Sequence, residues 1–272
     1  MTESADLLLL LDRVGESIRE VGAIEVMPRF RSLQHGDIEE KSPGDYVTVA
    51  DHACEVALEV RLRAILDVPV VGEEAATRDP GLLGLVDRAP ATWIVDPIDG
   101  TANFVAGSTD FAVMVALAEF GEAVAGWIWH PISDRLVSAA RGVGVFDDGT
   151  PRTLSAPEHA RSGSGVLKHK YVAPEHRAAV AAVADELELA PDRGCAGLEY
   201  LDVLDGRSSF LFYWRTRPWD HAPGGAITAE AGACVARLDG EPYRPGDGRR
   251  GLLTARPELW DGIGPRLDAA TT

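Results

Sequence analysis

Three short stretches place carboxylates directly after apolar segments. Trp93-Ile94-Val95 runs into Asp96-Pro97-Ile98-Asp99-Gly100-Thr101, Val70-Val71-Gly72 runs into Glu73-Glu74, and Pro218-Trp219 precedes Asp220. An acid delivered at the end of an apolar strand is costly to bury without a cation. Carboxylate oxygens with no accompanying His or Cys pattern suit magnesium or manganese better than zinc. Pro97 stiffens the turn between Asp96 and Asp99, and Gly100-Thr101 opens a following helical turn whose backbone N–H groups can face an oxyanion. Any one of these acids, in a chain with 43 Asp and Glu, reads alone as a solvated charge, and Asp220 alone reads as a helix cap. Spacing by itself reaches as far as an oxygen-ligand metal site.

The elements that must hold these acids are legible in outline. The 272 residues are 46% hydrophobic and 25% charged, which is ordinary globular usage. Helical periodicity covers residues 5–26 and stops at Met27-Pro28. A polar stretch, residues 34–45, reads as an exposed, mobile loop, and a second helix follows Thr48 over residues 50–66. Apolar runs at 68–71, 93–95, 111–120, 123–129 and 135–140 read as strands, with turns close enough for antiparallel hairpins. Residues 149–165 are loop-like and divide an α+β half, 1–148, from an α/β half, 149–272, within one unit. In the second half, helices are expected near 174–187, 198–204, 220–232 and 257–267. Strands are expected near 165–167, 209–214, 233–238 and 251–255. Asp220 is placed to begin a helix with Pro223 in its first turn.

A formal charge of −17 argues against a protein that grips nucleic acid or an anionic membrane. An acidic site can hold a phosphate only through an interposed cation. Cys54, Cys195 and Cys234 form no C-x-x-C pair and no complete disulfide set, which fits a reducing cytoplasm. The leucine run at 7–11 is too short and too acidic in its flanks for an export signal, and no stretch is long enough to span a membrane.

The ordered set Gly72-Glu73-Glu74, Asp96-Pro97-Ile98-Asp99-Gly100-Thr101 and Trp219-Asp220, the last followed by a Gly/Ala-rich helix, resembles the inositol monophosphatase family. The resemblance takes in Lys41 to Asp51 and Gly142 to Ser155 and so spans most of the chain. It implies a layered αβαβα sandwich, a homodimer, and magnesium-dependent hydrolysis of a small phosphorylated metabolite, with manganese as a substitute ion. Residue by residue, it implies that Glu73, Asp96, Asp99 and the Ile98 carbonyl surround one magnesium, and that Asp96, Asp99 and Asp220 share a second. It further implies that Gly100 and Thr101 cradle phosphate, that Asp51, Thr101 and Glu73 bear on the attacking water, and that Glu74 stands behind the ligands. Two metals roughly 3.5–4 Å apart lower the pKa of water and neutralise phosphate oxygens.

The match breaks at substrate recognition. Inositol-specific members place a glutamate seven residues before the Trp-Asp aspartate; this chain has Tyr213 there, with Arg215 and Arg217 nearby. Tyr213 can hydrogen-bond to substrate or simply pack within its strand, and Arg215 can pair with a second anionic group. Lys41 is read as a screen or gate for a third metal or as an exposed lysine of the loop. Lys168-His169-Lys170 is read as a phosphate attractor or a solvated cluster, and His221 as a contact to substrate or the metal shell or, more simply, a polar residue at a helix start. The substrates implied are inositol 1-phosphate or a related sugar or polyol phosphate. Alternatives are fructose 1,6-bisphosphate, histidinol phosphate and 3′-phosphoadenosine 5′-phosphate, or a regulatory protein that keeps the fold without turnover.

Overall fold

A computed structural model describes residues 4–156 and 164–272. The leading leucines belong to helix α1 (Ser4–Val21), whose buried stripe Leu11, Val14, Ile18 and Val21 follows the helical period. The chain then loosens into a π turn, Gly22–Val26, and a 3₁₀ turn, Met27–Arg29. Gly22 lies so near Trp129 that a Cβ there would fall 1.9 Å from the indole. The stretch expected as an exposed loop is instead a hairpin of β1 (Ile38–Ser42) and β2 (Asp45–Thr48) closed by Gly44 at φ +76°. Its polarity reflects an edge ribbon with one face near the cleft, which composition alone cannot tell from a loop. Helix α2 (Val49–Ile65) starts at a capping box in which Thr48 and Asp51 satisfy each other's backbone N–H groups.

Strand β3 (Val70–Gly72) leads into α3 (Glu73–Arg78) and α4 (Gly84–Arg88). Next come β4 (Ala91–Asp99), α5 (Thr101–Val105), β5 (Ala112–Glu119), β6 (Glu122–His130), β7 (Arg135–Ala140), β8 (Gly144–Asp147) and β9 (Thr150–Arg152). Strands β3 to β9 form one seven-stranded sheet in chain order, parallel at β3–β4 and antiparallel elsewhere. The last two strands fall where only turn and loop were expected. Seven of the eight residues of β5 are buried because helices cover both faces, so the run shows no alternation. Trp127 and Trp93 pin the outer helices by donating to the Leu11 carbonyl (3.0 Å) and the Leu66 carbonyl (3.1 Å).

A second sheet has the order β10 (Gly165–Lys168), β11 (Phe210–Tyr213), β13 (Leu252–Ala255), β12 (Cys234–Arg237). Only β10–β11 is parallel, so this half is less α/β than the alternation of elements implied. Helices α7 (Ala196–Leu204) and α8 (Pro218–Glu230) lie between the sheets, while α6 (Arg177–Ala184) and α9 (Pro257–Thr271) pack outside the second. The five layers form an αβαβα sandwich. Small residues let α8 enter: a Cβ on Gly126 would meet the Pro223 carbonyl at 2.3 Å, and one on Gly224 would meet the Tyr200 ring at 2.1 Å. Pro218 takes the start of α8, so Asp220 is its third residue and Pro223 lies in its interior rather than its first turn.

Candidate active site and metal centre

Each acid is aimed by a local device. Glu55 of α2 caps the α3 turn, accepting from the backbone N–H of Glu74 (2.8 Å) and Ala75 (2.9 Å), and it occupies the space a Cβ on Gly72 would need. Glu73 is thereby turned into the cleft and Glu74 behind it. Asp96 and Asp99 are three residues apart on β4 and would normally face opposite sides. The β4–β5 pairing slips between them, where Pro97 cannot donate to the ladder, and this extra residue brings Asp99 round to the side of Asp96. Gly100 follows at φ +86°, and a Cβ there would press on the Asp110 carbonyl at 2.8 Å, so the turn requires glycine. Asp99 Oδ2 accepts from the Gly197 N–H (2.6 Å) and the Cys195 thiol (3.0 Å), tying β4 to the start of α7.

The four acids open on one cleft of about 360 Å³, together with Ile98, Gly100 and Thr101. They repel one another. Burial, then Glu73, Asp99, Asp220 and Asp51, hold the Asp96 carboxyl well above its ordinary range. Burial and then Asp220 push Glu73 up to about 8, and burial and then Asp99 push Asp220 up to about 7. Asp96 is 1% exposed and its Oδ1 has no hydrogen-bond partner. A buried carboxylate oxygen aimed at other carboxylates, with no donor of its own, fits a hard cation. Among the described residues no three His, Cys, Asp or Glu side chains stand in a ready-made coordination shell. Two of the acids are engaged elsewhere: Asp99 bonds to α7, and Lys41 Nζ bridges Glu73 (3.3 Å) and Glu74 (3.0 Å). Lys41 is thus an ion-paired residue on β1 rather than an exposed loop lysine. Its pKa is raised because Glu73 and Glu74 outweigh burial, which alone would lower it.

Asp51 and Thr101 meet beside this cluster. The Thr101 hydroxyl lies 3.1 Å from Asp51 Oδ1 and 2.9 Å from the Ile98 carbonyl, while Asp51 Oδ2 is taken by the Thr48 N–H and hydroxyl. Burial raises Asp51 to about 6.

Lining the same cleft, Tyr213 donates its hydroxyl to Glu199, leaving only lone pairs for a ligand. Glu199, fully buried on α7, also binds Lys168 Nζ (2.9 Å) and accepts from the Arg193 N–H (2.9 Å); Lys168 pairs with Asp192 as well. Sequence reading missed Glu199, Asp192 and Glu55, since a lone acid in an acidic chain carries no local mark. The one available signal was Glu199 between apolar neighbours in a helix whose buried face is mostly apolar. Arg215 stacks over Tyr171, its guanidinium carbon 3.9 Å from the ring centroid. His221 does lie in the first turn of α8, but it is fully buried, bonded to the Arg215 carbonyl (3.2 Å) and the Tyr200 hydroxyl (3.3 Å). Burial lowers it to about 3, so the ring is neutral, and a carbonyl can only accept. The proton therefore sits on Nε2, and Tyr200 donates to Nδ1.

The sequence model of the inositol monophosphatase family matches residues 12–269. The chain is 35% identical over 257 residues to the inositol-1-monophosphatase of Mycobacterium leprae, covering 86% of this chain and 85% of that one. It is 27% identical over 240 residues to the 3′(2′),5′-bisphosphate nucleotidase of Shigella flexneri, covering 87% and 94%. The fold matches the IMPase of Thermotoga maritima with a TM-score of 0.78 at 24% identity, covering 96% and 97%.

Proposed function

The chain belongs to the inositol monophosphatase family and is a metal-dependent phosphatase; from that premise we propose that it hydrolyses a small sugar or polyol phosphomonoester with magnesium at the Glu73–Asp96–Asp99–Asp220 cluster. The observation that carries the reading is Asp96, buried with an unpartnered oxygen in the middle of three other acids, all opening on one cleft.

Glu73, Asp96, Asp99 and the Ile98 carbonyl would hold one ion, and Asp96, Asp99 and Asp220 another. Magnesium bound there supplies polarisation of the phosphate and acidification of water. The protein does the positioning. Thr101, donating to Asp51 Oδ1, keeps lone pairs that accept a hydrogen bond from water and so direct its attack. Asp51 Oδ1 is the atom that can receive the proton. The Gly100–Thr101 backbone faces the phosphate, and Glu55 and Glu74 keep Glu73 in place. Phosphoryl transfer asks mainly for positioning and charge neutralisation, which suits a site with carboxylates and amides and no side-chain nucleophile.

The same reading includes manganese as a substitute, a homodimer and a reducing cytoplasm. The last is supported by three free cysteines, two of them buried; no helix among the described residues is long and apolar enough to cross a membrane. The test is phosphate release from a panel of sugar, polyol and nucleotide phosphates with magnesium, manganese or chelator. Release that needs the divalent ion is expected, and turnover undiminished in chelator would defeat the assignment.

A further inference from the structure

The cleft that holds the acid cluster is also lined by three cations, Lys168, Lys170 and Arg215, and they are not equivalent. Lys168 is neutralised by Glu199 and Asp192. Arg215 and Lys170 form no ion pair among the described residues; their cationic groups lie over one ring, Tyr171, at 3.9 Å and 5.3 Å from its centroid. In an acidic chain rich in available partners, two cations gathered on a single aromatic ring without a carboxylate make a concentrated positive spot. That spot lines the same cleft as Glu73, Asp96, Asp99 and Asp220.

The geometry of the spot suits recognition. Strands β10 and β11 are parallel and in register at Lys168–Tyr213, so the segments leaving their carboxyl ends, with Tyr171 and Arg215, emerge side by side. Ligands of open sheets bind in crevices beyond such ends. Stacking engages only the face of a guanidinium, and its N–H edge stays free to form a fork with an anion. The Arg215 backbone is held as well, because His221 Nε2–H donates to its carbonyl while the imidazole packs 4.5 Å from the Tyr213 ring. Tyr213, where a hydroxyl-reading acid would be expected, has its proton committed to Glu199.

We propose that this enzyme prefers phosphomonoesters whose remainder bears a second anionic group, phosphate or carboxylate, which Arg215 binds and Lys170 supports while the scissile phosphate lies at the acid cluster. His221 and Tyr171 are positioning residues for Arg215. This rests on the phosphatase reading and goes beyond it by naming the charge of the group that leaves. The competing role for Arg215 is electrostatic: it sits near enough to Asp220 to lower that carboxyl, against burial and Asp99.

The test measures kcat/KM with magnesium for fructose 1,6-bisphosphate and 2-phosphoglycerate, whose second anions are a phosphate and a carboxylate. The comparison arms are myo-inositol 1-phosphate, with a neutral remainder, and phosphoethanolamine, with a cationic one. The wild-type enzyme is expected to favour at least one anionic arm by about 10-fold or more over both others, and the arms separate phosphate from carboxylate. Arg215→Ala should lower that preference by about 10- to 100-fold, mainly through KM, as loss of a charge-assisted hydrogen bond does. Arg215→Lys should restore part of it. Lys170→Ala, at an exposed position that folding tolerates, should lower the preference by roughly 3- to 10-fold. A wild-type preference for the neutral or cationic arm would overturn the proposal and leave the phosphatase reading intact. A loss in Arg215→Ala equal on every arm would assign Arg215 to Asp220 instead. No release from any arm would bring down the catalytic reading and this one with it.

Discussion

Replacing Asp96 with Asn should destroy activity and stabilise the metal-free protein at once. The side chain is 1% exposed, its Oδ1 has no partner, and Glu73, Asp99, Asp220 and Asp51 act on it with the same negative sign. An uncompensated buried charge costs about 3–5 kcal/mol, whereas an unsatisfied neutral amide group costs about 1–3 kcal/mol. The amide also gains acceptors, since its NH₂ faces carboxylates. The net gain is about 2 kcal/mol, or roughly 4–8 °C in melting temperature for a chain of this size. The gain has a pH signature. Asp96 has a raised folded pKa, so its stability contribution is complete below the unfolded value of 3.8 and is lost as pH rises. Asn has no proton to lose, and the advantage should be absent near pH 4 and grow towards pH 8. Thermal melts in chelator at pH 4, 6 and 8, with and without magnesium, read this directly. Phosphate release should fall by about 10³-fold or more, as expected when about 4 kcal/mol of transition-state stabilisation is removed. An Asp96→Asn protein that melts lower than wild type in chelator at pH 8, or that keeps its magnesium-dependent turnover, would refute the reasoning.

The wild-type protein without metal should itself lose stability between about pH 4 and 8. Glu73 and Asp220 are raised to about 8 and 7 from ordinary values of 4.5 and 3.8, so the folded state binds more protons across that window; magnesium should flatten the slope in a pH series of melts. Gly100→Ala should cost roughly 1–3 kcal/mol and most of the activity, because it forces a Cβ to φ +86° and against the Asp110 carbonyl; denaturant unfolding and turnover check both. Glu199→Gln removes the charge that Lys168 and Tyr213 share and should lower stability by about 2–3 kcal/mol in urea unfolding, with intact magnesium binding by calorimetry. Lys41→Met should tighten magnesium binding in the same calorimetric assay, because the ammonium now competes for Glu73.

Local pattern in the sequence pointed to an oxygen-ligand metal site and to the acids proposed to form it. Asp96, Asp99, Glu73 and Asp220 were legible because each follows an apolar segment within a few residues, and short-range pattern is what a sequence displays. Helices α1, α2, α7, α8 and α9 and the strands of both sheet cores were legible for the same reason. The hairpin at 38–48 was not, since an edge ribbon with polar residues has the composition of a loop. What only tertiary structure decided was which groups meet across long separations. Glu55 caps the turn at Glu74 across 19 residues, Asp99 anchors to Gly197 across 98, and Glu199 gathers Lys168 and Tyr213 from two parallel strands. His221 changed most, from a polar helix-start residue to a buried clamp on the Arg215 carbonyl. These meetings depend on sheet register and on the close approach that small residues give α8, neither of which leaves a local trace. The acids were therefore legible in the motifs, while the placing of Tyr171 beside Arg215 follows from the parallel register of β10 and β11.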